Sequence, residues 1–199
     1  MANGYLTHIL HLMNQLLSYD QYLFKIINNQ WSNSFFDWLM PWLRNSEMWY
    51  PLYLFLLLLV VINFKQNRFA WILFFVGTII ICDFVSSKII KENIIRLRPC
   101  NEPSIASWVH VLVGYRPQSS SFTSSHAANH FGMAMFLFLT LRNHFKKWPA
   151  LFFFWAFSIS FAQVYVGVHY PLDIICGGLI GILIGYLSGK SFNRNYGLV

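Results

Sequence analysis

Charge is what this sequence has least of. Only 11% of its 199 residues are Asp, Glu, Lys or Arg, and just 7 are acidic. An average soluble domain carries ~25% charged residues, because its outside must meet water. The shortage therefore argues against a soluble globular domain. Cysteine is scarce too: Cys82, Cys100 and Cys176 are far apart and form no C-x-x-C pair, so neither a zinc ribbon nor a disulfide framework is indicated. No H-E-x-x-H is present, against a metal site. No G-x-S-x-G is present either, against a Ser–His intramembrane protease. The first 20 residues carry no basic n-region and no small-residue cleavage site, so a cleaved signal peptide is not expected. The net charge of +7 is spread through short inter-segment stretches and not along one polar face, so a nucleic-acid partner is not expected.

What the chain has in excess is apolar and aromatic residues, 56% and 19% respectively. They fall into long runs at about residues 49–64, 69–90, 131–141 with an upstream start, 148–168 and a glycine-rich 171–187. Each approaches the ~20 residues that cross a bilayer as a helix. None alternates in polarity, which excludes a membrane β-barrel. The expected fold is an all-α, polytopic membrane helix bundle of five to six transmembrane helices. The spacing of Gly177, Gly178, Gly181 and Gly185 predicts a helix face that a second helix approaches closely. Residues 1–47 read as an amphipathic or partly membrane-embedded region, with residues 35–43, interrupted by Pro41, as a possible sixth crossing. Residues 48–190 read as the membrane core and 191–199 as a tail. The cations of 65–68, 142–147 and 190–194 fall on one side of the bundle, which the positive-inside rule assigns to the cytoplasm. Lys91, Arg96, Arg98 and Arg116 then lie on the outer side, against the rule, which argues for a chemical use.

Three segments on that outer side carry candidate chemistry. In the first, Lys91 and Arg98 are seven residues apart with Pro99 following, which predicts one helix face bearing two cations near a helix end. Such a pair suits an anion, although basic residues also anchor membrane helices at the interface. The second is the run from Ser119 to His126 ahead of an apolar stretch. Its serines are natural N-caps, and free N–H groups at a helix start also bind phosphate; His126 sits where a proton can be exchanged. In the third, Pro171 suits the first turn of a helix, so Asp173 can reach back to His169 and fix its tautomer. Asp173 is the sole acidic residue after Glu102. At the head of a membrane helix a carboxylate is costly without a partner.

In order and spacing these segments resemble the type 2 phosphatidic acid phosphatase family, related to vanadium haloperoxidases, whose pattern reads K-x6-R-P, P-S-G-H and S-R-x5-H-x3-D. The first element is matched by Lys91, Arg98 and Pro99. The second is matched by Ser124 and His126, with Thr123 for the proline and Ser125 for the glycine. The third is matched by His169 and Asp173, with Ala162 and Gln163 for the serine and arginine. The resemblance implies a metal-free, cofactor-free phosphatase. His169 would be the nucleophile, Asp173 its orienting carboxylate and His126 the general acid. Lys91, Arg98, Ser124, Ser125 and Gln163 would line the phosphate site. It also implies a membrane-borne lipid phosphate as substrate, of the undecaprenyl diphosphate, phosphatidylglycerophosphate, phosphatidate or lipid A class; the basic-residue bias adds the expectation of a bacterial inner membrane with the site facing the periplasm. Gln163 brings no charge where the pattern has arginine, so either Arg96 or Arg116 compensates, or the enzyme is slow, or it no longer catalyses. A lipid-phosphate binder without turnover is the competing reading of the same scaffold. A metal site using His126, His130 and Asp173 is a weaker one, because His130 reads as a packed helix residue.

Overall fold

A computed structural model describes residues 2–199, with side chains from Tyr5 onward. Its helices are α1 (Ala2–Lys25), α2 (Ser34–Arg44), α3 (Tyr50–Asn63), α4 (Arg68–Asp83), the single turn α5 (Lys91–Asn93), α6 (Ser125–Phe145), α7 (Leu151–Tyr165) and α8 (Pro171–Asn195). Among the described residues there is no strand. Four stretches, Ser46–Asn63, Arg68–Asn93, Trp148–Tyr165 and Pro171–Asn195, are long and apolar enough to cross a membrane. Their outer faces leave Leu57, Phe69, Phe154 and Leu183 exposed, as lipid-facing residues are. Helix α6, at 21 residues and so ~31 Å, is long enough to be a fifth crossing. It is less apolar because it is the central helix, packed on α4, α7 and α8, and needs no lipid-compatible surface. Helix α2 has 11 residues with Pro41 inside and rises only ~16 Å, about half the hydrocarbon thickness.

The glycine face of α8 packs against α6. A Cβ at Gly177 would come within 2.5 Å of the Ser124 carbonyl oxygen, while one at Gly181 or Gly185 would strike the backbone oxygens of Ala128 and Gly132. Polar pairs add to the packing: Trp71 Nε1 donates to Thr140 Oγ1 (2.9 Å) and Thr78 Oγ1 to Ser188 Oγ (2.7 Å). At one end of the bundle the turn before α4 meets the C-terminus, with Asn67 Nδ2 donating to the carbonyls of Tyr196 and Gly197, both at 3.0 Å. Phe64 packs on His144 there. The three basic clusters at 65–68, 142–147 and 190–194 thus share this end. Helix α8 continues to Asn195, so the segment from residue 191 is helical at first.

One expectation is corrected. The helix predicted to carry both Lys91 and Arg98 ends at Asn93, after π-helical turns over Phe84–Ile90, and Ile94 is already extended. The chain leaves the helix for a better set of partners. Ser121 N donates to Arg96 O (2.8 Å), Ser120 Oγ to Ile94 O (2.7 Å), and Arg96 N to Ser120 Oγ (3.1 Å). The β-branched Ile94 and Ile95 favour that extended course. Lys91 and Arg98 therefore do not share a helix face.

Candidate active site

At the opposite end of the bundle Pro171 opens α8, and the Asp173 carboxylate turns back to cap it, its Oδ2 accepting from Tyr170 N at 2.9 Å. Asp173 is fully buried. Its Oδ1 accepts from Arg96 Nη1 (2.6 Å), and its Oδ2 also accepts from Ser121 Oγ (2.5 Å). His169 Nδ1 lies 3.5 Å from the same Oδ2 and 3.4 Å from Ser121 Oγ. On its other side, Nε2 is 3.1 Å from Arg98 Nη1. A guanidinium has no lone pair to offer, so Nε2 must be the acceptor and Nδ1 carries the proton toward Asp173. Burial pushes the imidazole pKa down to about 4; the nearby Arg98 charge acts in the same direction and the Asp173 hydrogen bond opposes both. The ring is therefore neutral at neutral pH, with its basic nitrogen directed away from the carboxylate. That is the form a histidine nucleophile needs.

Arg98 is buried, and all five of its N–H groups are engaged: with His169, Val168 O, Ser119 O, Ser119 Oγ and, at 3.5 Å, Ser120 O. Ser124 is the N-cap of α6, its Oγ accepting from Ala127 N at 3.3 Å, and its own N–H donates to Asp173 O. Ser125 Oγ pairs with Ser87 Oγ at 2.8 Å. The N–H groups of Ser125 and His126 in the first turn have no partner among the described residues, the usual arrangement at an anion-accepting helix start. The Lys91 ammonium makes no hydrogen bond or ion pair there but lies in electrostatic reach of Arg98 and Asp173. His126 is in reach of His169, Lys91 and Arg44, and its ring opens on a cavity of about 460 Å³ lined by Arg44, Asn45, Glu47, Tyr50 and Tyr115. His130 is a packed helix residue, bonded to His126 O at 2.8 Å and edge-on to Trp155. No cluster of three or more His, Cys, Asp or Glu able to share a metal occurs among the described residues.

Residues 68–196 match the profile of the PAP2 superfamily. The chain belongs to that superfamily. It is 34% identical over 156 residues to the lipid A 4'-phosphatase of Bacteroides thetaiotaomicron, covering 77% of this chain and 68% of that protein. It is 32% identical over 180 residues to the undecaprenyl-diphosphatase of Sulfolobus acidocaldarius, covering 87% and 79%. The crystal structure of Aquifex aeolicus LpxE superposes with a TM-score of 0.59 at 28% identity, over 85% of this chain and 94% of that one. This PAP2 protein is thus an integral membrane phosphoric ester hydrolase, a lipid phosphatase.

Three residues joined to this candidate site were given no role by the motifs. Ser121 stands between Asp173 and His169. Asp20 of α1 grips Arg96 from the far side, Oδ2 to Nη2 at 2.5 Å, while its Oδ1 accepts from Leu172 N at 2.7 Å. Arg44, at the end of α2, donates from Nε to Gln163 Oε1 at 3.2 Å. The sole acidic residue of an amphipathic helix was the available signal for Asp20. Neither cation expected beside Gln163 has a contact there. Arg96 is held by Asp20 and Asp173, and Arg116 Nη1 donates to Cys100 O at 2.8 Å.

Proposed function

We propose that the protein removes a phosphate from a phosphorylated glycolipid of the lipid A class, by way of a phosphohistidine on His169. The observation that carries the reading is the neutral His169 ring, with Nδ1 toward Asp173 and Ser121 and Nε2 toward Arg98. In the first step Nε2 attacks phosphorus as the bond to the lipid oxygen breaks. His126, which first takes the acidic proton of the bound phosphate monoester, gives that oxygen its proton. Arg98 Nη1, next to Nε2 in the resting site, transfers its hydrogen bond to a phosphoryl oxygen. Lys91 and the free N–H groups at the head of α6 take up the remaining charge. In the second step a water oxygen attacks phosphorus as the N–P bond breaks, the water's proton passes to His126, and Nε2 recovers its lone pair as phosphate leaves. Asp173 remains ionised throughout and holds the imidazolium. No step calls on a metal.

The glycolipid choice rests on the relative from Bacteroides and on the mouth of the cavity, where Asn45, Ser46, Glu47, Tyr50 and Tyr115 offer hydrogen bonds of the kind sugar hydroxyls use. A polyprenyl diphosphate is the second reading, favoured by the relative from Sulfolobus. The basic end of the bundle is read as cytoplasmic and the site as facing the periplasm of a bacterial inner membrane. The test is phosphate release by purified protein from lipid A, undecaprenyl diphosphate, phosphatidylglycerophosphate and phosphatidate, each with a chelator present. Phosphorylated lipid A should turn over fastest. Labelled substrate should leave an acid-labile, alkali-stable phosphate on the wild type and none on His169→Ala. Label on the His169→Ala protein, or activity abolished by chelation and restored by metal, would sink the mechanism.

A further inference from the structure

Arg44 lines the cavity into which His126 opens, and although Glu47 lines the same cavity, Arg44 has no ion pair among the described residues. No carboxylate lies within 4 Å of its guanidinium among the described residues. Its Nε donates to Gln163 Oε1 (3.2 Å) and its Nη2 to Tyr115 Oη (3.2 Å), with the guanidinium carbon 5.8 Å from the Tyr115 ring centre. Nη1 is uncommitted. Two neutral side chains thus hold the group in place without cancelling its charge. Gln163 itself is 1% exposed, and its amide nitrogen has no partner, so a buried donor stands beside an unpaired cation. Leaving such a donor unsatisfied is costly, and an arriving acceptor would recover that cost. Arg96 and Arg98 of the same site are already bound to carboxylates or carbonyls.

We infer that Arg44 is a substrate-binding and catalytic residue: with Gln163 as its holder, it clamps the phosphate from α2, supplying the positive charge that position 163 lacks. This deepens the phosphatase reading above and rests on it. The site is then built from two parts of the chain, because Arg44 lies outside the stretch that matches the superfamily. A guanidinium offers a fork of two N–H groups to phosphoryl oxygens, which a lysine cannot reproduce. Its position beside His126 puts that fork on the side where the leaving group departs.

The experiment uses the full chain in detergent, with the preferred lipid of the panel as substrate and orthovanadate as phosphoryl-like inhibitor. Arg44→Gln should lower kcat/KM roughly 100- to 1000-fold, the usual loss for one transition-state donor, and weaken orthovanadate inhibition at least tenfold. Arg44→Lys should keep charge but not the fork, and fall between. Adding Gln163→Arg to Arg44→Gln should recover at least tenfold of the loss, which repair of a merely structural defect would not do. All variants are compared at matched thermal stability and elution. If Arg44→Gln keeps kcat/KM and orthovanadate inhibition within threefold of wild type while His169→Ala is dead, the assignment of Arg44 is wrong and the phosphatase mechanism stands. If His169→Ala stays active, the mechanism itself fails, whatever Arg44 does.

Discussion

Asp20→Asn tests whether α1 is part of the active-site frame. The Asp20 carboxylate reaches Arg96 across 76 residues of sequence, and Arg96 reaches Asp173 across 77 more. The carboxylates of Asp20 and Asp173 are 4% and 0% exposed and the Arg96 side chain is 17% exposed, so the triad is screened weakly. Two unit charges about 4 Å apart attract by ~4 kcal/mol at an effective dielectric of 20. Part of that is offset because neutralising Asp20 removes its desolvation cost. A charge-assisted hydrogen bond is worth about 1.5–3 kcal/mol net, and the lower half of that range fits here because Arg96 keeps Asp173. The new amide oxygen can still accept from Leu172 N. A loss of about 2 kcal/mol corresponds to a fall in apparent Tm of roughly 4–8 °C for a chain of this size. Arg96→Ala strands two buried carboxylates and should cost more, about 3–5 kcal/mol. It should also lower kcat without a matching rise in KM, because Asp173, left with Tyr170 N and Ser121 Oγ as its partners, orients His169 less firmly. Asp20→Asn, which leaves the Arg96–Asp173 contact in place, should keep most of kcat. The readouts are detergent thermal melts and steady-state kinetics on the same preparations. An Asp20→Asn protein melting within about 1 °C of wild type, or an Arg96→Ala protein with unchanged kcat, would refute the reasoning.

Three further outcomes are expected. The His169 pKa is about 4 in the folded chain against 6.5 when exposed, a depressed base, so its contribution is flat above pH 6.5 and stability is lost as pH falls from there toward 4. The total is about 3 kcal/mol at 1.36 kcal/mol per unit, and the acid slope of apparent Tm should be shallower in His169→Phe than in wild type. Gly181→Ala drives a Cβ into the Ala128 carbonyl and should destabilise by about 1–3 kcal/mol. Gly77→Ala, with nothing within 4 Å of the new Cβ, should be neutral or stabilising in the same melts. Lys65→Cys should resist an impermeant thiol reagent applied to intact cells, as the basic-loop bias requires; labelling would invert the topology and put the site on the cytoplasmic side.

The parts of the protein that could be read from its sequence are those whose cause is local. Apolar length announces four crossings directly, and Gly177, Gly181 and Gly185 announce the α6–α8 contact because close approach needs residues without side chains. The His169–Asp173 pair is legible for the same reason: Pro171 starts a helix, and the geometry of its first turn brings residue 173 back to residue 169. What was not legible is long-range and polar. The extended course of residues 94–98 depends on hydrogen bonds to Ser120 and Ser121, which no window around Lys91 contains. The surroundings of Gln163 depend on α2, 119 residues away. Asp20 and Arg44 fall in the N-terminal region that reads as amphipathic or partly membrane-embedded, outside the three motifs. Each is joined to the candidate site, one by an ion pair to Arg96 and one by a hydrogen bond to Gln163. A motif records where chemistry is anchored in one stretch of chain. A charge supplied from elsewhere leaves its trace only as a gap in the motif, and the proposed clamp by Arg44 reads the gap at residue 163 in that way.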